Sequence, residues 1–214
     1  MLGKVVMLMQ TKIIGFDIDD TLTNSDKFIR SMLDEFMIMK NLPLYTGPIR
    51  MDKYSLEEKF PRLNSRIISE FNSFLFPRLV NNAPVREEAK ELLDELKKLG
   101  YRIQIITRRD KDYDKGPYKG SMMVEHTIAW FHRNELPYDE IVFSSFDKLK
   151  TCNDCHAKIL FEDAPSNILR VSKDIPVIVP SHEYNKHMIG KNIHVVETLN
   201  PEKILPLIES LTLF

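Results

Sequence analysis

Two carboxylates spaced two apart, Asp17 and Asp19, close the apolar run Ile13-Ile14-Gly15-Phe16, and Asp20 and Thr21 follow at once. A run of that kind reads as a buried parallel strand, and ligands of open α/β sheets collect just beyond the carboxyl ends of such strands. Two acidic side chains held at one strand end repel each other unless a cation or a proton lies between them. Carboxylate oxygens are also the ligands that a hard divalent ion such as Mg2+ prefers. The same residues would serve equally in a solvated, capped turn, because Asp and Thr are ordinary turn and N-cap residues. The rest of the chain has to decide.

Two more apolar runs end in polar groups. Ile103–Ile106 leads into Thr107-Arg108-Arg109, and Lys158–Phe161 leads into Glu162-Asp163, with Lys148 and Lys150 between them. Strand ends on one edge of a parallel sheet converge, so these groups can meet in one cleft. The ensemble suits hydrolysis of a phosphate monoester. Asp17, as a carboxylate nucleophile, attacks phosphorus to give an aspartyl-phosphate, dividing one hard step into two. Asp19 protonates the leaving alcohol and then activates water. Mg2+ held by Asp17, Asp163 and the Asp19 main-chain carbonyl neutralises charge and keeps the phosphate in line. Thr107 and a lysine bind the remaining phosphate oxygens as charge builds in the transition state. Lys148 is preferred to Lys150, since it follows Asp147 in a loop whereas Lys150 falls on the next helix. Thr107 has an ordinary alternative as the N-cap of the helix after it. None of the six histidines has a triad partner.

The elements that must position these residues can be read from periodicity. Ser25–Met39 has the spacing of an amphipathic helix, with Phe28, Ile29, Met32, Leu33, Phe36 and Met37 on one side. Ser55–Phe60 starts another helix with a capping-box pattern, and Asn64–Leu75 a third that Pro77 ends. Residues 24–82 are therefore helical, aromatic and strand-poor, and read as an inserted cap; residues 1–23 and 83–214 make up the core. Phe36, Tyr45, Phe71 and Phe74 could stack on a nucleobase, although burial in the cap's own core explains them equally well. From Pro84 onward helices and strands alternate. Val85–Leu99 is a helix capped by Gly100, Tyr101–Thr107 a buried strand, and Arg109–Ser121 a polar loop whose Lys111, Lys115 and Lys119 read as a solvated face. A helix over Val124–Arg133, with Trp130 facing the core, precedes the segment Tyr138–Ser144. Strands at Lys158–Phe161, Ile175–Val179 and Ile193–Val196 and a helix over Pro201–Leu211 complete the chain. Such alternation predicts an α/β fold, a Rossmann-like parallel sheet with helices on both faces.

Composition narrows the partners. Thirty basic against thirty-one acidic residues among 214 give a formal net charge of −1. That leaves no global field for a nucleic acid polymer or an anionic membrane. No apolar run approaches a bilayer span, and Met1–Thr11 lacks the h-region of a secretory signal. The expectation is a soluble, cytoplasmic protein acting on a small phosphomonoester. Cys152-Asn153-Asp154-Cys155-His156 is literally a c-type haem pattern. Haem attachment of that kind belongs to exported chains, and a closed zinc site would need distant ligands, because these are the only cysteines. A short helix carrying two thiols is the preferred reading.

In order along the chain, Asp17-Ile18-Asp19-Asp20-Thr21, Ile105-Ile106-Thr107, Lys148 and Glu162-Asp163 resemble the four motifs of the haloacid dehalogenase superfamily of phosphotransferases, over essentially the whole chain. An Asp two residues past the nucleophile is similar to its phosphatases rather than its ATPases or dehalogenases. A cap between the first two motifs resembles the family's helical type. Softer details resemble the 5′(3′)-deoxyribonucleotidase-like group and its bacterial members: Thr107-Arg108-Arg109, Trp130 with Asn134–Asp139, Asn167 after the acidic pair, and Tyr184-Asn185. The resemblance implies a Mg2+-dependent phosphatase for nucleoside monophosphates, and adds Arg108 to the phosphate-binding residues and Glu162 as support for the metal. Glu162 stands where Asp is commoner, which implies a metal contact through water, and the loop Asp110–Lys119 is longer and richer in lysine than the pattern. Two alternatives stay open: a phosphatase for another metabolite, such as a sugar phosphate, and a catalytically silent relative that binds a ligand.

Overall fold

The strands of this chain are apolar on both faces, and such strands need cover on both sides. In the computed structural model, which describes residues 12–109, 114–115, 118–143 and 147–212, helices supply it. The strands are β1 (Ile13–Phe16), β2 (Arg102–Thr107), the two-residue β3 (Asp114–Lys115) and β4 (Tyr118–Lys119), β5 (Glu140–Phe143), β6 (Ala157–Phe161), β7 (Val177–Pro180) and β8 (Ile193–Val196). The helices are α1 (Asp26–Met39), α2 (Leu56–Lys59), α3 (Ser65–Asn82), α4 (Ala89–Lys98), α5 (Gly120–Arg133), α6 (Lys148–Asp154), α7 (Pro165–Val171) and α8 (Pro201–Thr212). Six strands form one sheet in the order β5-β2-β1-β6-β7-β8, every pair of neighbours parallel. Beyond β1 the chain first builds outward through β2 and β5, then crosses to the other side of β1 for β6. The order therefore reverses between β1 and β6.

Alternation along the strands sends side chains into two cores. Ile103, Ile105, Ile159 and Phe161 pack with Leu92, Leu93 and Leu96 of α4, Trp130 and Phe131 of α5, and Ile204 and Ile208 of α8. Ile106 and Leu160 pack on the opposite face with Cys152 of α6 and Ile168 and Val171 of α7. Phe16 and Phe161 stack at 4.3 Å between ring centres, directly beneath the ends of β1 and β6. Helices α1, α2 and α3 share a third core of their own, built from Leu33, Phe36, Phe60, Ile68, Phe71 and Leu75 among others. Two antiparallel linkers join it to the sheet: Thr23 bridges Val85, Asn24 N–H donates to the Pro84 carbonyl (3.0 Å), and Arg86 N–H donates to the Leu22 carbonyl (2.8 Å).

Several boundaries differ from the sequence reading. Pro77 does not end α3, which continues for another turn to Asn82. A proline inside a helix costs about 3 kcal/mol, but the added turn buries Leu79 and Val80, and its terminal carbonyls find donors on the core: Arg133 on Asn81 and Trp130 Nε1 (2.8 Å) on Ala83. Helix α4 starts at Ala89 rather than Val85, because Val85 and Arg86 belong to the linker pairing. Helix α5 starts earlier than Val124, at Gly120. Lys148 does not lie in a loop. It is the first residue of α6, whose N-cap Asp147 accepts the Lys150 N–H at 3.1 Å. Met1–Thr11, Lys111 and Ser144 lie outside the described residues; Lys119 is exposed. Among the described residues no helix is long and apolar enough to cross a membrane.

Phe71 is fully buried at the centre of the α1–α3 core, with ring centres of Phe36 and Phe60 at 5.5 and 6.3 Å. Phe71→Ala is expected to lower stability by about 3–5 kcal/mol in urea unfolding followed by circular dichroism. A loss under about 1 kcal/mol would contradict the packing described.

Candidate active site

The point where strand order reverses is where open α/β sheets leave a crevice. Asp17 follows β1 there, and its N–H donates to the Phe161 carbonyl of β6 at 2.9 Å. Glu162 and Asp163 follow β6 on the neighbouring strand. Lys148, opening α6, reaches between them: its ammonium donates to Asp17 Oδ1 and, at 2.6 Å, to Glu162 Oε2. Glu162 is saturated. Its Oε1 accepts the N–H groups of Asp163 (3.1 Å) and Ala164 (2.9 Å), and Oε2 accepts Asn167 Nδ2 (3.1 Å) as well as Lys148. Asp163 is oriented from three sides: Tyr184 Oη donates to Oδ2 (2.8 Å), Thr21 Oγ1 to Oδ1 (3.3 Å), and Asn185 Nδ2 to its main-chain carbonyl (3.0 Å).

All four charged groups are buried: Asp17 is 6%, Glu162 0%, Asp163 3% and Lys148 2% exposed. Three carboxylates against one ammonium leave negative charge uncompensated in a place with little water. Burial pushes the Asp17 carboxyl up to about 7; Lys148 opposes that, while the charges of Glu162 and Asp19 add to it. Asp163 is driven well above the ordinary carboxylate range by burial first, then by Glu162, Asp20 and Asp17. Burial works against the Lys148 ammonium, but Asp17 and Glu162 outweigh it and keep the lysine charged. One carboxylate oxygen from each of Asp17, Glu162 and Asp163 lies within 4.8 Å of the other two. Clustered, desolvated carboxylate oxygens with excess negative charge fit a hard divalent cation. Glu162 gives its lone pairs to Lys148 and to N–H groups, so Asp17 and Asp163 fit as direct ligands better than Glu162 does.

These groups open onto a cleft of about 550 Å3 between the sheet edge and the α1–α3 unit. Asp19 lines it but stands apart from the acidic cluster, because its carboxylate is engaged by Arg109. Arg108 is exposed and lines the cleft, whereas Arg109 is 1% exposed. Thr107 lies at the end of β2, is 1% exposed, and is not among the residues lining the cleft. Its hydroxyl accepts the Arg109 N–H at 3.3 Å in a local turn; it does not cap the following helix, which starts at Gly120 with Lys119 as its N-cap. Lys150 is exposed and paired with Asp154 on α6. The aromatics open to a base-stacking role, Phe36, Tyr45, Phe71 and Phe74, are instead buried in the α1–α3 core. Tyr54 and Phe76, with the amide of Asn72, form the cleft wall on that side. Cys152 is buried and its thiol is pushed up to about 12, by burial first; Cys155 is half-buried, and both thiols are free.

Thr21 and Arg109 stand in the sequence motifs without a role of their own, and neither Tyr54 nor Asn72 is singled out by the sequence. Arg109 carried one signal. It shares the parity of Ile103 and Ile105, whose side of the sheet packs against Trp130.

No family model matches the chain, and no curated protein matches it. Solved structures do. A haloacid dehalogenase-like family hydrolase from Streptococcus pneumoniae superposes with a TM-score of 0.61 at 17% identity, over 92% of this chain and 98% of that one. A predicted phosphoglycolate phosphatase from Haemophilus somnus gives 0.56 at 18% identity, covering 94% and 99%. CbbY from Rhodobacter sphaeroides, solved with phosphate, gives 0.56 at 17% identity, covering 89% and 96%. A mutant of CbbY has been solved with xylulose-(1,5)bisphosphate, at 16% identity, the same TM-score of 0.56 and the same coverage of 89% and 96%. At such identities the likeness establishes the fold: this chain has the Rossmann-like α/β architecture of the haloacid dehalogenase-like hydrolases. The nucleotidase-like group is not singled out by these neighbours.

If the acidic cluster holds the ion, Asp163→Asn abolishes Mg2+ binding measured by titration calorimetry. Tyr184→Phe, which removes the hydroxyl that orients Asp163, weakens it by about tenfold. Unchanged Mg2+ affinity in both variants would contradict the assignment.

Proposed function

We propose that the protein is a Mg2+-dependent phosphomonoester hydrolase working through an aspartyl-phosphate on Asp17. The observation that carries this reading is the buried group of Asp17, Lys148, Glu162 and Asp163 at the point where strand order reverses, on a fold shared with phosphatases. An Asp17 oxygen attacks phosphorus; the bond to the leaving oxygen breaks, and that oxygen takes a proton from Asp19. Asp19, now a carboxylate, takes a proton from water as the water oxygen attacks phosphorus. Inorganic phosphate leaves and Asp17 is restored. Bound by Asp17, Asp163 and the Asp19 main-chain carbonyl, Mg2+ would supply charge neutralisation and hold the phosphate in line. An ammonium has three donors; Lys148 uses two on Asp17 and Glu162 and offers the third to a phosphate oxygen. Thr107 uses its oxygen as an acceptor toward Arg109 and keeps its hydroxyl proton for the phosphate, while Arg108 reaches it from the cleft rim. In this reading residues 24–82 form a cap over a core of 1–23 and 83–214, and the cap controls which leaving group is accepted. Two unpaired thiols suit a reducing, cytoplasmic compartment.

A nucleoside monophosphate is the leading substrate. Tyr54 and Phe76 offer aromatic surface on the cap side of the cleft, and Asn72 in the same lining offers both a donor and an acceptor, the combination that a base with a π-face and a polar edge requires. The second reading, a sugar phosphate, rests on CbbY with its bound xylulose bisphosphate.

The test is phosphate release from a panel of deoxy- and ribonucleoside monophosphates and sugar phosphates, with Mg2+ or EDTA, for wild type and Asp17→Asn. Release is expected with Mg2+ alone, to be fastest for a nucleotide, and to fall by about 10³-fold or more in Asp17→Asn, as when a covalent nucleophile is lost. Activity surviving in Asp17→Asn would remove the nucleophile assignment, and a sugar phosphate ranking first would replace the nucleotide reading.

A further inference from the structure

Arg109 is a cation with almost no access to water, and none of the steps above uses it. Its guanidinium is 1% exposed, and a buried charge has to be compensated on the spot. Among the described residues, compensation comes from the Asp19 carboxylate. Nε donates to Asp19 Oδ2 at 3.2 Å and Nη2 to Asp19 Oδ1 at 2.8 Å, a two-pronged contact across the whole carboxylate. The third nitrogen points the other way. Nη1 donates to the Val80 carbonyl in the last turn of α3 (3.2 Å) and to Thr127 Oγ1 of α5 (3.4 Å), and the Trp130 ring centre lies 5.8 Å from the guanidinium carbon. The guanidinium plane is therefore fixed by two helices before it meets Asp19.

Asp19 itself is not buried: its side chain is 32% exposed and lines the cleft. Each carboxylate oxygen has two lone pairs, and the fork takes one from each. What remains on Asp19 is available on the cleft side. A carboxylate gripped at both oxygens cannot rotate about its last bond, so Arg109 determines where that remaining lone pair points. Arg108, one residue earlier, is exposed on the rim.

We infer that Arg109 is a positioning residue for Asp19, holding the acid/base carboxylate against the end of α3 so that it addresses the reacting oxygen. The inference rests on the phosphatase reading. It gives Arg109 no contact with phosphate, and all of its effect passes through Asp19. A lysine would keep the charge and lose the planar fork.

A good leaving group separates this role from a general loss of structure. With p-nitrophenyl phosphate the first displacement needs no proton from Asp19, whereas hydrolysis of the aspartyl-phosphate still needs Asp19 as base. In Arg109→Lys we expect the burst of p-nitrophenolate and kcat/KM to stay near wild type, and kcat to fall by about 10- to 100-fold, the scale of a small misplacement of a catalytic group. In an Asp19→Asn background the same substitution is expected to add less than about twofold, because contributions acting through one group are not additive. Equal loss of burst, kcat/KM and kcat in Arg109→Lys, or a full further loss on top of Asp19→Asn, would overturn the inference. So would an unchanged kcat. Should Arg109→Lys fail to fold by circular dichroism, Thr127→Val removes one anchor of the fork and leaves the ion pair. It is then expected to lower kcat by about two- to fivefold at constant kcat/KM, and an unchanged kcat would overturn the inference in its turn. Wild type that releases no phosphate would instead remove the phosphatase reading, so the two failures are distinct.

Discussion

Three carboxylates and one ammonium share a nearly dry space at the end of β1 and β6, and the surrounding structure is arranged to tolerate that imbalance. Removing ions from water costs on the order of several kcal/mol each, recovered only where geometry and hydrogen bonding are good. Glu162 meets the requirement completely, with two main-chain N–H groups, an amide and an ammonium on its two oxygens. It thereby holds Lys148 in place. Asp17 and Asp163 keep negative charge that the single ammonium does not balance, and burial raises both of their carboxyl groups. A divalent cation would resolve the same conflict without protonating Asp17. The reactivity proposed for Asp17 and the affinity proposed for Mg2+ are two expressions of one electrostatic constraint.

Topology makes this concentration of charge possible. Reversal of strand order at β1 and β6 places the ends of two consecutively hydrogen-bonded strands beside an open crevice, and the stacked Phe16 and Phe161 rings fill the layer below them. The second half of the site depends on α3 instead. Its last turn persists past Pro77 because core residues accept its exposed end: Arg109, Arg133 and Trp130 each donate to one of its final carbonyls or the next one. One of these donors, Arg109, is also the residue that grips Asp19. The carboxylate proposed as acid and base is thus tied to the helix that walls one side of the cleft.

Much of this arrangement is legible in the sequence. Asp17, Glu162 and Asp163 stand at the ends of apolar runs and Lys148 between two such runs, and convergence of strand ends is a property of parallel sheets rather than of any particular contact. The α/β alternation was visible for the same reason. Errors gathered where tertiary contacts override local rules. Pro77 carries a strong local stop signal that the docking of α3 outweighs. Lys148 was chosen over Lys150 on the ground that it sat in a loop; it is in fact the first residue of α6, and it reaches Asp17 because a first-turn side chain lies beside the strand end. Arg108 and Arg109 are identical by type, and only the side of the sheet distinguishes the rim residue from the buried one. Phe36, Tyr45, Phe71 and Phe74 show helical spacing, which predicts burial but cannot tell an interior from a cleft. Tyr54, in irregular chain, had no period to reveal it.

The proposed reaction depends on covalent chemistry at one carboxylate, that of Asp17. Wild-type protein mixed with Mg2+ and its best phosphomonoester, quenched in acid within the first turnover and mapped by mass spectrometry, should carry a single phosphoryl group on the peptide containing Asp17. Phosphate released in that turnover with no phosphorylated peptide, or with the phosphoryl group on any other residue, would contradict it.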